Sequence, residues 1–467
     1  MPDTKLVQDR IAMTPADPDQ LYSDRRAWLK DRYAHPCRKT YWPIVLGVDA
    51  LSRSRLASLR EQRLQALIAH AVKHVPFYRR WFADSGFRSA KSVTLQDLPI
   101  VTKREYRQRL DDFQSDAYPV SALMANKTSG SSGEPFRFRR HPASLDYSYA
   151  CMWRSLLRHG IRNGDRRGRV WGRNYHFNAT PAGIRRVKRR HALRDWMSNS
   201  VGIDAYSLTR DNVAHAAARL RAARPVYLHG YVSALYVIAR HLLDTGRGFG
   251  DLRLKAVVTE SEKLYPFQKA AMEEAFGCPV LEFYGSVELG AIAQTDPHGD
   301  LLLNDDMYVV ETLPTGEAVV TDLFSQAYPF LRYRLGDVVE LSPRQAEGLP
   351  YTVIGQVVGR TLDLIPLADG GCVHGMALAH VIDHHLALVQ RYQIRQERID
   401  RFTIRLVTRS PLPSSVRERI TADMKGLVGS GAEIVIEEVA HIAPAASGKF
   451  RWVMSDVPHT LAHTAWT

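Results

Sequence analysis

The sequence predicts an α/β protein with a large amino-terminal domain and a small α+β carboxy-terminal domain, and two patterns and a length point there. VYLHG (226–230), LKAVVTE (254–260) and PVLEFYG (279–285) are short apolar runs rich in β-branched and aromatic residues, and each is followed by a turn or by a helical pattern such as YPFQKAAMEEAF. Strands alternating with helices build a parallel sheet covered by helices. From GEAVVTDLF (316–324) to YTVIGQVVGR (351–360) the texture changes to shorter strands separated by turns, which predicts a β-rich subdomain within the large domain. A chain of 467 residues, 45% hydrophobic, is also too long for one small core. The boundary is placed after residue 361, giving domains 1–361 and 362–467.

The other elements follow in order. Residues 52–113 read as helices: SRSRLASLREQRLQALIAHAVKHV repeats apolar residues at three- and four-residue spacing, and Pro76 closes it. Beyond Asp363, ALAHVIDHHLALVQ and RERITADMKGLV read as helical and RFTIRLVT and AEIVIEEV as strands. The chain has neither internal repeats nor a low-complexity linker.

Composition narrows the classes. No stretch of about 20 apolar residues is present, and the start MPDTKLVQDRIAMTPADPDQ lacks a secretory layout, so a cytoplasmic location without a membrane span is expected. Cys37, Cys151, Cys278 and Cys372 lie far apart without a CxxC pair, which argues for reduced structural thiols and against a thiolate zinc site. The formal charge is +14, with Arg185, Arg186, Lys188, Arg189 and Arg190 in one run. That run is read as a solvated face, as a docking surface for an acidic carrier protein or coenzyme A, or as a nucleic-acid contact; no nucleic-acid motif accompanies it.

Five segments can carry chemistry. In Thr128-Ser129-Gly130-Ser131-Ser132-Gly133, hydroxyls interleaved with glycines can wrap an oligophosphate, although a Ser/Gly turn uses the same residues. Glu282-Phe283-Tyr284-Gly285-Ser286-Val287-Glu288 places an aromatic and a carboxylate around a glycine turn, suited to a purine and a hard cation. The plain alternative is a strand-turn-helix junction with Ser286 as cap. Asp337 in YRLGD suits a ribose diol, because a carboxylate accepts two hydrogen bonds; GRTLD (359–363) has the same turn residues. Lys449 in SGKFR is a cation on a glycine turn.

Together, TSGSSGEP, EFYGSVELG, YRLGD, GRTLD and SGKFR resemble the successive core motifs of the adenylate-forming superfamily of acyl-CoA synthetases, adenylation domains and luciferases. VPFYRRWFADSGF, LPIVTKREYR, RPVYLHGYVSALYVIAR and VVTESEKLYP are similar to its phenylacetate-CoA ligase and CapK-like branch, and the likeness spans roughly residues 65–455. The resemblance implies that Thr128, Ser129, Gly130, Ser131, Ser132 and Gly133 form the phosphate loop. Tyr284, Gly285 and Ser286 would flank the nucleotide, Glu288 would bind Mg²⁺, and Asp337 would hold the ribose with Arg360 beside it. Asp363 matches the hinge of a mobile small domain, and Lys449 the adenylation lysine. Two departures stand out: Phe136 occupies a position that is often lysine in the superfamily, leaving Arg137 or Arg139 as substitutes, and AIAQTDPHGD lacks a cysteine that some branch members carry, so no zinc is expected.

The expected chemistry is attack of a substrate carboxylate on the α-phosphorus of ATP with loss of pyrophosphate, Glu288, Arg360 and Lys449 being the catalytic set. Transfer to the thiol of coenzyme A or of a phosphopantetheinyl carrier protein follows; transfer of the acyl group or AMP to an amine or hydroxyl is the alternative, and a non-catalytic binding protein on the same fold the third. The acid is expected near His229, Gly230, Tyr231, Ser233, Ala234, Glu260 and Glu262, which precede and flank the nucleotide segment. Ordinary strand-end packing is the competing reading of those residues. The oligomer expected is a monomer or homodimer.

Overall fold

The computed structural model describes residues 21–34, 36–127, 136–173, 181–205, 208, 210–360, 364–369, 372–383, 385, 388–443, 450 and 452–457. These fall into two compact units, one holding nearly all of the chain up to Val357 and the other Val358 onward with Pro314–Glu317 and Gly336–Val338.

In chain order the strands are β1 (Val101–Thr102), β2 (Met124–Lys127), β3 (Arg137–Arg140), β4 (Arg167–Trp171), β5 (Ser200–Asp204), β6 (Tyr227–Tyr231), β7 (Ala256–Glu260), β8 (Val280–Ser286), β9 (Gly290–Thr295), β10 (Leu301–Leu303), β11 (Tyr308–Thr312), β12 (Glu317–Asp322), β13 (Tyr333–Gln345) and β14 (Thr352–Arg360). The helices of this part are α1 (Arg25–Ala34), α2 (Pro36–Val48), α3 (Arg53–His74), α4 (Pro76–Asp84), α5 (Lys103–Gln108), α6 (Pro142–Arg158), α7 (Pro181–Met197), α8 (Arg210–Ala223), α9 (Val232–Asp244) and α10 (Pro266–Phe276).

Among the described residues one sheet orders its strands β11-β12-β13-β14-β10-β9-β8-β7-β6-β4-β5, with β1 beside β13. Strands β5, β4, β6, β7 and β8 are parallel and are linked through α7, α8, α9 and α10, as the alternating pattern predicts. The strands predicted as a β-rich subdomain extend this same sheet, beginning with the antiparallel pair β8–β9. Helix α3 starts at Ser52, whose Oγ accepts from Arg55 N–H, and ends at Val75 because Pro76 cannot donate to the preceding turn. Its buried Leu56, Leu64, Leu67, Ile68 and Ala71 face the core.

The second unit contains β15 (Leu364–Pro366), β16 (Cys372–His374), α11 (Gly375–Asp383), β17 (Val389–Arg398), β18 (Arg401–Thr408), α12 (Ser414–Val428), β19 (Glu433–Glu438) and β20 (Val453–Ser455), with the sheet order β19-β18-β17-β20. It is the predicted α+β unit with one correction: ALAHVIDHHLALVQ is helical only to Asp383, and Val389 opens β17. Val389, Tyr392 and Ile394 are buried as strand residues in this unit's core, so tertiary burial overrides the local helical pattern. No described helix is long and apolar enough to cross a membrane.

Candidate active site

The parallel strands β4, β6, β7 and β8 end along one edge, and open α/β sheets bind ligands outside the carboxyl ends of their strands. Seven predicted acid-site residues lie at or just beyond this edge. His229 on β6 and Glu260 on β7 face each other, Nε2 to Oε2 2.9 Å. Burial depresses the His229 pKa, and Glu260 only partly offsets it, so the ring is neutral at pH 7. A carboxylate accepts only, so Nε2 carries the proton and Nδ1 is left as an acceptor. Ser233 donates to Glu262 from its backbone N–H (2.7 Å) and from Oγ (3.0 Å), which puts a carboxylate at the start of α9 where the helix dipole favours it. Ser233 is thereby engaged by protein. Glu260 and Glu262 are thus each bonded within the protein, to His229 and Ser233.

Two of the seven are packing residues. A Cβ on Gly230 would come 2.3 Å from the Val170 carbonyl oxygen, so glycine permits β6 to approach β4. Ala234 is buried in the apolar cluster beneath the strand ends. The Tyr231 ring packs tilted against Trp171 with centroids 4.4 Å apart; Trp171 closes β4 and also lies 5.6 Å from the His229 ring. Trp171 carries no sequence signal of its own; only the pairing of β4 with β6 brings it here.

The segment 282–288 runs into a hairpin, and the strand-turn-helix alternative is corrected. Strand β8 turns directly into β9, because Ser286 Oγ accepts from Leu289 N–H (3.2 Å) and closes a tight turn. Gly285 is required: a Cβ there would sit 2.1 Å from the Gly290 carbonyl oxygen. Tyr284 is buried against the main core.

Glu288, in this turn, is buried and forms an ion pair with Lys103 (Oε1 to Nζ 2.8 Å), with the Tyr333 hydroxyl 3.4 Å away. Lys103 opens α5, which a capping box between Thr102 and Glu105 starts in place. Lys103 is the partner of Glu288 that the sequence alone does not reveal. Its stretch LPIVTKREYR marks a family likeness, yet 185 residues separate it from Glu288 and nothing local links them. Its Nζ also stands 5.7 Å from the Phe136 ring centroid, and Phe136 itself is wholly buried. Of the expected substitutes, Arg139 is bonded to Gln114 (2.6 Å) and Arg137 is exposed on β3.

Asp337 is nearly buried and follows Gly336, whose φ of +83° favours glycine. Arg360 ends β14, its side chain outside the described residues. Thr128, Ser129, Gly130, Ser131, Ser132, Gly133, Asp363 and Lys449 also lie outside them; the loop's flanking strands β2 and β3 pair antiparallel, Lys127 opposite Arg137. Among the described residues no three His, Cys, Asp or Glu side chains converge as a metal cage. The single hard carboxylate of Glu288 does fit Mg²⁺, which is commonly held by one or two carboxylates together with substrate phosphates.

Residues 366–456 match the family model of the CapK C-terminal domain. The chain is 24% identical over 416 residues to the protein CapK of Staphylococcus aureus, covering 86% of this chain and 90% of CapK. It is 22% identical over 398 residues to a phenylacetate-coenzyme A ligase of Thermus thermophilus, covering 80% and 86%. Its fold matches a 2-hydroxyisobutyryl-CoA ligase solved in the postadenylation state with an acyl-AMP, at TM-score 0.67, 19% identity and coverage of 95% and 94%. The chain is therefore similar along most of its length to CapK and to phenylacetate-coenzyme A ligases, and it shares its fold with an acyl-CoA ligase.

Proposed function

We propose that the protein uses ATP to convert a carboxylic acid into an acyl-adenylate, releasing pyrophosphate, and then passes the acyl group to the thiol of coenzyme A. The observation that carries this reading is the buried Glu288 carboxylate, held by Lys103 at the turn that ends β8, beside an edge already lined by His229, Tyr231 and Trp171. Ligase relatives that align along most of the chain support it.

The substrate carboxylate is ionised at neutral pH and is itself the nucleophile, so the protein has to position two anions and offset charge as it shifts. Trp171 and Tyr231 present flat apolar faces to the acid's body, and neutral His229 offers Nδ1 as an acceptor without adding charge. Lys103 lowers the cost of anions near the turn. Thr128–Gly133 would cradle the phosphates, Tyr284, Gly285 and Ser286 would border the base, and Asp337 with Arg360 would hold the ribose. Mg²⁺ on Glu288 would screen the phosphates. Lys449 would contact the carboxylate and α-phosphate oxygens, and a turn at Asp363 would then carry the 362–467 domain, and Lys449 with it, away for thiol transfer.

Pyrophosphate release with a panel of acids tests the first half, and mass spectrometry of products formed with coenzyme A, a carrier protein or an amine assigns the acceptor. Lys449→Ala should slow adenylation by about 10²–10³, the scale of losing one preorganised donor. Thioester formation from synthetic acyl-adenylate should stay near the parent rate. Equal slowing of both steps overturns the two-conformation role of the lysine.

A further inference from the structure

Helix α7 holds the densest positive charge in the chain and is half apolar at its far end. Arg185, Arg186, Arg189 and Arg190 are all exposed, and so are Leu193 (58%), Trp196 (61%) and Met197 (41%). Ile184, Val187, His191 and Asp195, at helical spacing, form the covered face, so the arginines and the apolar residues look outward together. The only carboxylate of α7, Asp195, is turned inward to Arg173 (2.6 Å). That guanidinium crosses β5 at Gly202, where a Cβ would lie 1.3 Å from Nη2, so a side chain at 202 would expel it. The helix is therefore clamped to the sheet and presents a fixed face.

Helix α1 extends this face. Arg26 lies over the Trp196 ring (5.2 Å) and donates to the Trp196 carbonyl (3.0 Å), while Lys30 reaches Ser198 Oγ (3.3 Å). Leu29 (37%) and Tyr33 (75%) share the helical side of Arg26 and Lys30 and are exposed as well. Beneath, burial and the charges of Arg167 and Arg194 push the Arg169 pKa down to about 10, a sign of how positive this corner is.

We propose that the outward faces of α7 and α1 form a docking surface for an anionic lipid bilayer. Trp, Leu, Met and Tyr exposed among arginines is the make-up of a helix lying in the plane of a membrane surface, with the apolar side chains entering the acyl boundary and the guanidinium groups meeting lipid phosphates. The topology separates this surface from acyl transfer. Because α7 links the end of β4 to the start of the parallel β5, its carboxy-terminal end lies at the sheet edge opposite His229 and Glu260. Seventeen helical residues span about 25 Å. A thiol acceptor seated on Trp196 would thus be at the wrong end, whereas a bilayer there leaves the site open to soluble substrates.

The test is flotation of the full chain with phosphatidylcholine vesicles containing about 30% phosphatidylglycerol, against pure phosphatidylcholine vesicles, at about 0.05 and 0.5 M NaCl. The parent should float with the anionic vesicles at low salt and not with neutral ones. The variant L193N/W196N keeps every charge and should lose at least about tenfold of the bound fraction, W196F should retain it, and R185Q/R186Q/R189Q/R190Q should abolish it, all with parental pyrophosphate release as the fold control. Failure of the parent to float at low salt overturns the proposal. Flotation of L193N/W196N equal to the parent also overturns it, leaving a purely ionic surface. So does binding to polyglutamate that is lost in the same variants while vesicles are ignored, which assigns the face to an acidic protein.

Discussion

Two ion pairs in the large unit have nearly the same length and opposite surroundings: Lys103–Glu288 at 2.8 Å and Arg154–Asp306 at 2.9 Å. Arg154 and Asp306 are sealed, at 1% and 0% side-chain exposure, and both are multiply bonded. Arg154 also donates to Asn304 (2.8 Å) and to the Val45 carbonyl (3.2 Å), and Asp306 accepts from the Tyr147 hydroxyl (2.6 Å). Burial alone would raise the Asp306 pKa, but Arg154, Arg63 and Tyr147 together bring it below the ordinary value. Lys103 is 36% exposed and its partner only 6%. A sealed, multiply bonded pair fixes elements to one another, whereas a pair open on the cation's side lets an incoming cation compete for the carboxylate. The first suits a structural role, and the second suits the cation-binding role proposed for Glu288.

The largest effect expected is Asp306→Ala, which strands the Arg154 guanidinium in the core and should cost about 3–5 kcal/mol in denaturant unfolding. Any folded remainder should keep its ATP KM, and a loss below about 1 kcal/mol would break the contrast. Asp322 is the buried counter-example to Asp306. Arg140 stands 3.6 Å away, too far to offset burial, and the carboxyl is raised to about 6 from 3.8. A raised carboxyl pKa gives stability that is full below pH 3.8 and lost as pH rises through about 6, a span of about 3 kcal/mol. Asp322→Asn should flatten that slope between pH 4 and 7 in pH-dependent unfolding; an unchanged slope removes Asp322 as its source.

Smaller in stability but plain in activity, Glu288→Gln should lower turnover about tenfold or more and raise the Mg²⁺ requirement, since an amide oxygen is a poorer ligand for a hard cation, while unfolding shifts by under about 1 kcal/mol. Coincident Mg²⁺ titrations of variant and parent would make Glu288 a structural acid. Asp337→Ala should raise the ATP KM by the loss of charge-assisted bonds, about 1.5–3 kcal/mol each, and leave the acid's KM in place. A similarly small stability change, about 1 kcal/mol in unfolding, is expected for Lys103→Met because its ammonium is partly solvated. A loss as large as that of Asp306→Ala would place the two pairs in one class.

Sequence by itself determined the strands β6, β7 and β8, the long helix stopped by Pro76, and the two-part organisation, because period-two and period-3.6 patterns and a missing N–H are local facts. It also singled out His229, Glu260, Ser233, Glu262 and Glu288, since motif order survives without coordinates. Tertiary structure alone decided which of them meet. Lys103 reaches Glu288 across 185 residues, Trp171 joins His229 only through strand pairing, and Gly230 and Ala234 are taken by packing. Val389 became strand where its sequence reads as helix, because its side chain fills the core of the small unit. Local pattern sets what a segment can form, and only long-range burial and charge pairing set what it touches.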